Sequence, residues 1–175
     1  MPPSITLEPL KPAHTLPLYL LTESNRDYLR QWLPWLDHVR SPDDTAAFIE
    51  SSMATASFGG APNFAILHEG TLCGVAGFHG IDPVQGIGSI GYWLAESYTG
   101  KGIITESVRS LLKMGFDDFD LNKIEIRCAV DNHRSRAIAE RLGFTHEATL
   151  SQSEWLYTGY VDQALYSLLA TEYRG

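Results

Sequence analysis

Between Asn63 and Leu94 three apolar, strand-like runs follow one another with only short turns between them, and this spacing constrains the fold more than any other feature. The runs cover 63–68, 72–81 and 87–94, with Glu69-Gly70 at the first junction and Asp82-Pro83 at the second. Turns this short join antiparallel neighbours, because a parallel crossover needs a dozen residues or more. An antiparallel meander is therefore expected in the middle of the chain. After it, Ile104, Val108, Leu111, Leu112, Phe116 and Phe119 recur at helical spacing over 101–119. KIEIRCAV (123–130) alternates as a strand. Residues 132–142 read as a short helix closed by Gly143, and 144–154 and 163–169 read as the last strands.

Upstream, 5–10 reads as a first strand and 14–32 as one helix, followed by the aromatic turn Trp32-Leu33-Pro34-Trp35-Leu36. Ser41-Pro42-Asp43-Asp44 places Ser, Pro and an acid where a helix starts, and Phe58-Gly59-Gly60 ends that helix. The order β, α, α, β, β, β, α, β, α, β, β defines a mixed α/β (α+β) protein. A chain of 175 residues fits one domain, 1–175, with a single core.

Bulk properties exclude several classes. No apolar run approaches the roughly 20 residues of a membrane span. The start, MPPSITLEPLKP, lacks a basic region followed by an apolar stretch, so a cytoplasmic location is expected. Cys73 and Cys128 each sit in an apolar, strand-like segment and are expected as buried thiols. No Cys and His cluster has metal-ligand spacing, so no metal is expected. The net charge of −8 argues against a general nucleic-acid binder.

Two phosphate-binding patterns fail on context. Residues 86–91 match GxGxxG, but Tyr92-Trp93-Leu94 continue a strand where a dinucleotide site needs a helix. Gly100-Lys101 is followed by Gly102, where a P-loop needs Ser or Thr. The stretch from Tyr92 to Thr105 instead runs from strand through a Gly-rich loop into a helix. Its first helical turn offers backbone N–H groups and the positive end of the dipole, and two glycines let a ligand approach. This is an anion site suited to a pyrophosphate, with Lys101 adding charge at the rim. The plain alternative is a helix that starts at a Gly turn.

The run Gly100-Lys101-Gly102-Ile103-Ile104-Thr105, preceded by Gly91-Tyr92-Trp93-Leu94, resembles the cofactor loop of the GNAT superfamily of N-acetyltransferases. Asn132-His133-Arg134-Ser135 followed by Arg141-Leu142-Gly143-Phe144 resembles that family's next helix. The resemblance covers nearly the whole chain. It implies the GNAT fold, a mixed central sheet with an antiparallel meander and helices on both faces. It also implies acetyl-coenzyme A as co-substrate. The backbone from Thr99 through Gly100, Lys101, Gly102, Ile103 and Ile104 to Thr105 would hold the pyrophosphate. Trp93 and Leu94 would pair with the pantetheine arm, and Asn132 would hydrogen-bond it while capping its helix. Many members carry Gln or Arg where this chain has Ser97.

Many members also place a Tyr acid where this chain has Ala139. Further segments resemble the ribosomal-protein-serine N-acetyltransferase branch: Gln31-Trp32-Leu33 with Trp35, Val130-Asp131-Asn132, and Gln152-Ser153-Glu154. By that likeness Ser135 is the acid for the leaving thiolate and Glu154 the base, and the acceptor is a protein N-terminal amine. A homodimer is implied as well. Trp35, His79 and Trp155 are the candidate acceptor contacts. Ser135 also suits a capping role and Glu154 an ordinary exposed position. A small amine (polyamine, amino acid or aminoglycoside) stays open as acceptor, and so does a non-catalytic acyl-coenzyme A-binding module.

Overall fold

Glu69 and Gly70 both take positive φ, 50° and 81°, and this two-residue turn reverses the chain between β2 (Asn63–His68) and β3 (Thr71–Asp82). The computed structural model describes residues 1–175. Its other strands are β1 (Ile5–Pro9), β4 (Ile87–Leu94), β5 (Lys123–Ala129), β6 (Thr145–Trp155) and β7 (Tyr160–Leu169). The helices are α1 (Thr15–Ser24), α2 (Arg26–Arg30), α3 (Pro42–Ser57), α4 (Ile103–Lys113) and α5 (His133–Arg141). The fold is mixed α/β. Seven mostly antiparallel strands hydrogen-bond in the order β1-β2-β3-β4-β5-β7-β6, with β4 and β5 parallel. No helix is long and apolar enough to cross a membrane.

The chain divides into two compact units. The first holds residues 1–77 and 92–107. Its apolar centre joins Leu10, Leu18 of α1, Ile49 of α3, Ala65 of β2 and Val75 of β3, with Leu72 and Trp93 against them. Pro42 opens α3 from an extended Ser41, and Phe58 closes it, as the sequence pattern requires. The expected helix over 14–32 is broken. Asn25 leaves helical geometry, its Nδ2 donating to Leu21 O and its Oδ1 accepting from the Glu96 amide at 3.0 Å. A short amide side chain that bonds backbone competes with the helix, and here it wins. Arg26, at the start of α2, donates to the carbonyls of Leu36 and Val39 and so folds the aromatic turn back on the helix.

The second unit holds residues 78–91 and 108–175. Here β4 and β5 run in parallel register from Ile87↔Lys123 to Ile90↔Ile126. β7 lies antiparallel to β5, and β6 pairs antiparallel with β7. Ile124, Ile126, Leu111 and Tyr166 are fully buried. The expected helix over 101–119 begins later, at Ile103, because Gly102 at φ 78° holds the chain outside helical geometry. It ends in a π turn, Met114–Asp118, where Gly115 lies against Ile124 and Phe78 with no room for a side chain. The last strand starts at Tyr160, earlier than the expected 163, because Tyr160 and Val161 pair with Trp155 and Glu154.

Candidate active site

The candidate coenzyme loop lies wholly in the first unit. β4 ends at Leu94, and the amide of Ala95 still donates to Cys73 O of β3 at 2.8 Å. The β4–β5 ladder ends at Ile90↔Ile126, although β4 continues to Leu94. The backbone of Trp93 and Leu94 therefore lies beyond that ladder. On the β3 side, Gly74 is required, since any side chain there would strike the carbonyl of Trp93. A 3-10 turn, Glu96–Tyr98, carries the chain to Thr99, whose hydroxyl donates to Glu96 O at 2.7 Å.

Gly100 and Gly102 then take φ of 76° and 78° on either side of Lys101. Nothing stands near the side of Gly100 where a side chain would project. The first hydrogen bond of α4 runs from Glu106 N to Gly102 O, so the amides of Ile103 and Ile104 precede it. The Ile103, Ile104 and Thr105 side chains are buried, which leaves their backbone as the group on offer. Lys101 Nζ sits 5.2 Å above the ring of Tyr98, a cation–π contact that keeps its charge at the rim.

The candidate acid and base lie in the second unit. Asn132 is the N-cap of α5, its Oδ1 accepting from the Ser135 amide at 3.3 Å. The Ser135 side chain hydrogen-bonds the Cys128 thiol on β5. Burial pushes the Cys128 pKa up. Ser135 pulls against that rise, and the nearby charge of Glu154 adds to it. Ser135 thus contacts the cysteine, and Glu154 acts on it only through its charge. Glu154 is half-buried, which raises its carboxyl above the usual glutamate value, and Gln163 Nε2 donates to its Oε2 at 3.2 Å.

The three candidate acceptor contacts lie in different places. His79 on β3 reaches across Gly91, where any side chain would collide with its Nε2; the residue keeps an exposed face, yet desolvation of the packed ring lowers its pKa. Trp35 precedes a 3-10 turn in the first unit and is 39% exposed. Trp155 stacks edge-on against Tyr160, and strand alternation turns it away from the face that carries Glu154.

Sequence reasoning missed a second network. Arg136 Nε donates to Tyr166 Oη at 3.0 Å, and Tyr166 donates to Glu140 at 2.7 Å. Arg136 also holds Val130 O, two residues before Asn132. The available signal was Arg136 and Glu140 at i, i+4 on α5, which share one helix face. Sequence also gave no sign of a cavity of about 320 Å³ in the first unit, lined by residues that include Glu23, Asp27, Arg26 and Glu96. No group of His, Cys, Asp and Glu is arranged to hold a metal ion.

A strand that outruns its ladder, a Gly-rich loop opening a helix, and an Asn-capped helix beyond the next strand define an acyl-coenzyme A-dependent transferase. The Acetyltransferase (GNAT) domain family matches residues 4–145, and the chain belongs to it. It is an N-acetyltransferase whose co-substrate is acetyl-coenzyme A. Among its relatives is the ribosomal-protein-serine acetyltransferase of Escherichia coli, 36% identical over 94% of this chain and 92% of that protein. The solved structure of RimL, a ribosomal L7/L12 α-N-protein acetyltransferase, is 31% identical with a TM-score of 0.91. The match covers 95% of this chain and 94% of that one, and coenzyme A there is disulfide-bonded to a cysteine. The microcin C7 self-immunity acetyltransferase MccE, solved with acetyl-coenzyme A and AMP, is 33% identical. Its TM-score is 0.90, over 94% of this chain and 92% of that one.

Proposed function

We propose that residues 1–175 act as one acetyltransferase domain that transfers acetyl from coenzyme A directly to the N-terminal amine of a Ser-starting ribosomal protein. The observation that supports this reading is the Ser135 contact with the Cys128 thiol on β5, a thiol that also feels the Glu154 charge. The similarity to ribosomal-protein-serine acetyltransferases supplies the acceptor.

The residues divide the work. Backbone amides from Thr99 to Thr105, with Lys101 at the rim, bind the pyrophosphate. Trp93 and Leu94 pair with the pantetheine arm through backbone, and Asn132 Nδ2 bonds it while Oδ1 caps α5. An α-amine has a pKa near 7.7 to 8.0, so a fraction is already neutral at pH 7. Glu154 takes the proton that the amine loses as it attacks the thioester carbonyl, and its raised pKa makes it a better acceptor than an ordinary glutamate. A strand amide near Trp93 or Leu94 stabilises the oxyanion. Ser135 donates a proton to the departing thiolate. Cys128 forms no acetyl intermediate, because burial keeps its thiol protonated. Trp155, turned from the Glu154 face, is left out of the acceptor contacts, His79 and Trp35 remain the candidates, and the enzyme works in the cytoplasm as a homodimer.

The test is intact-mass analysis of a stalk ribosomal protein with a free N-terminal Ser after incubation with enzyme and acetyl-coenzyme A. One acetyl group mapped to the N-terminus is the expected result, and an unchanged mass rejects this acceptor. A second reading is a small amine (polyamine, amino acid or aminoglycoside), since the chain is also similar to a self-immunity acetyltransferase named for microcin C7 and not for a ribosomal protein. The cavity lined by Glu23, Asp27 and Glu96 also holds Arg26, paired with Glu23, which leaves Asp27 and Glu96 to favour a cationic acceptor. Acetylation of a polyamine, amino acid or aminoglycoside, with the ribosomal protein untouched, selects that reading.

A further inference from the structure

The approach to Glu154 is built by an irregularity in the edge strand. Leu150 pairs with Gln163 and Glu154 with Val161, so β6 advances from 150 to 154 while β7 moves only from 163 to 161. Ser151, Gln152 and Ser153 form the bulge, with Gln152 at φ 45° and its amide donating to Asp162 Oδ1 at 2.8 Å. Uninterrupted pairing would set Glu154 opposite Gly159. The bulge instead makes it the diagonal neighbour of Gln163 on the same face. Gln163 then meets two partners. Ser153 Oγ has one proton and two acceptors in reach, Gln163 Oε1 at 2.9 Å and Leu150 O at 3.2 Å; it donates to the nearer, and Gln163 Nε2 donates to Glu154 Oε2 at 3.2 Å. An ionised carboxylate only accepts, so the NH₂ end faces Glu154, and the Ser153 hydroxyl holds the other end in place.

We propose that Gln163, locked by Ser153 across the β6 bulge, is a positioning residue that aims Glu154 and holds it ionised to receive the amine proton. The proposal rests on Glu154 being the base. Donation to the charged form opposes the effect of burial, which alone raises the Glu154 pKa. The titratable groups around it leave that role to Gln163. Cys128 on β5 feels the Glu154 charge, Arg136 and Glu140 on α5 act on Cys128, and Asp162 on β7 is turned to the Gln152 amide.

The experiment follows the Glu154 carboxyl directly by ¹³C NMR titration in the wild type, Gln163→Leu and Ser153→Ala, beside the pH profile of kcat at saturating substrates. Loss of the donor moves the Glu154 titration upward by about one unit, and the acid limb of kcat follows. Ser153→Ala, which keeps the amide but unlocks it, gives a smaller shift in the same direction. An unmoved titration in folded Gln163→Leu overturns the proposal. If that variant does not fold, Ser153→Ala at its exposed site decides alone: an upward shift supports the assignment and none overturns it. Wild-type turnover in Glu154→Gln would instead remove the base assignment, an outcome distinct from an unmoved titration.

Discussion

Glu154 carries a cost that its neighbours do not remove. Its carboxyl takes up protons more readily in the folded chain than in the unfolded one, because burial disfavours the charge. The folded protein therefore gains stability as pH falls through the raised folded value, and at pH 7 the ionised group lowers stability. Glu154→Gln is expected to raise Tm at pH 7 and to leave it nearly unchanged at pH 4, while lowering kcat about 100-fold. Thermal melts at the two pH values check the first statement and steady-state kinetics the second. Ser135→Ala is expected to lower kcat about tenfold with acetyl-coenzyme A affinity intact, since its amide, not its hydroxyl, is what Asn132 caps. Calorimetric titration of acetyl-coenzyme A separates the two effects. Both residues were legible in the sequence only through likeness to a branch of the family. Their partners were not, because the Ser135–Cys128 contact depends on how α5 is set against β5, and no spacing reports that.

The candidate coenzyme loop, two glycines between a strand and a helix, is in its geometry the most fully legible of the elements. Its glycines, its position between strand and helix and the failed P-loop match all follow from residues 92–105. Gly100 shows why. At φ 76° with open space beside it, a side chain there would meet no neighbour yet would strain the backbone by about 1 kcal/mol and intrude on the approach to the loop amides. Gly100→Ala is expected to weaken acetyl-coenzyme A binding about tenfold with little loss of Tm, as read by calorimetry and melting. Two other elements were less legible. The run over 14–32 has helical spacing throughout, yet Asn25 breaks it through a bond to an amide 71 positions away in sequence. The β6 bulge likewise arises from pairing with β7, and alternation within β6 alone gives no sign of it. Local pattern fixes the element type here, and distant partners fix its interruptions.

For the molecule as a whole, element order and family were readable because the meander and the two Gly-marked helix boundaries are local signals spread along the chain. The division into units of discontinuous sequence was not, since it depends on contacts between segments far apart. The bond from the Glu96 amide to Asn25 has a consequence for how the first unit breathes. The entrance to the candidate coenzyme loop is tethered to the junction of α1 and α2, so this bond couples opening of those helices to opening of the loop. A ligand present at about 100 times its Kd stabilises the folded form by about 2.7 kcal/mol. Saturating acetyl-coenzyme A is accordingly expected to slow amide hydrogen exchange in Thr15–Arg30 as well as in the loop, and Asn25→Ala to confine that slowing to the loop. The N-terminal helices would then report coenzyme occupancy through that one bond.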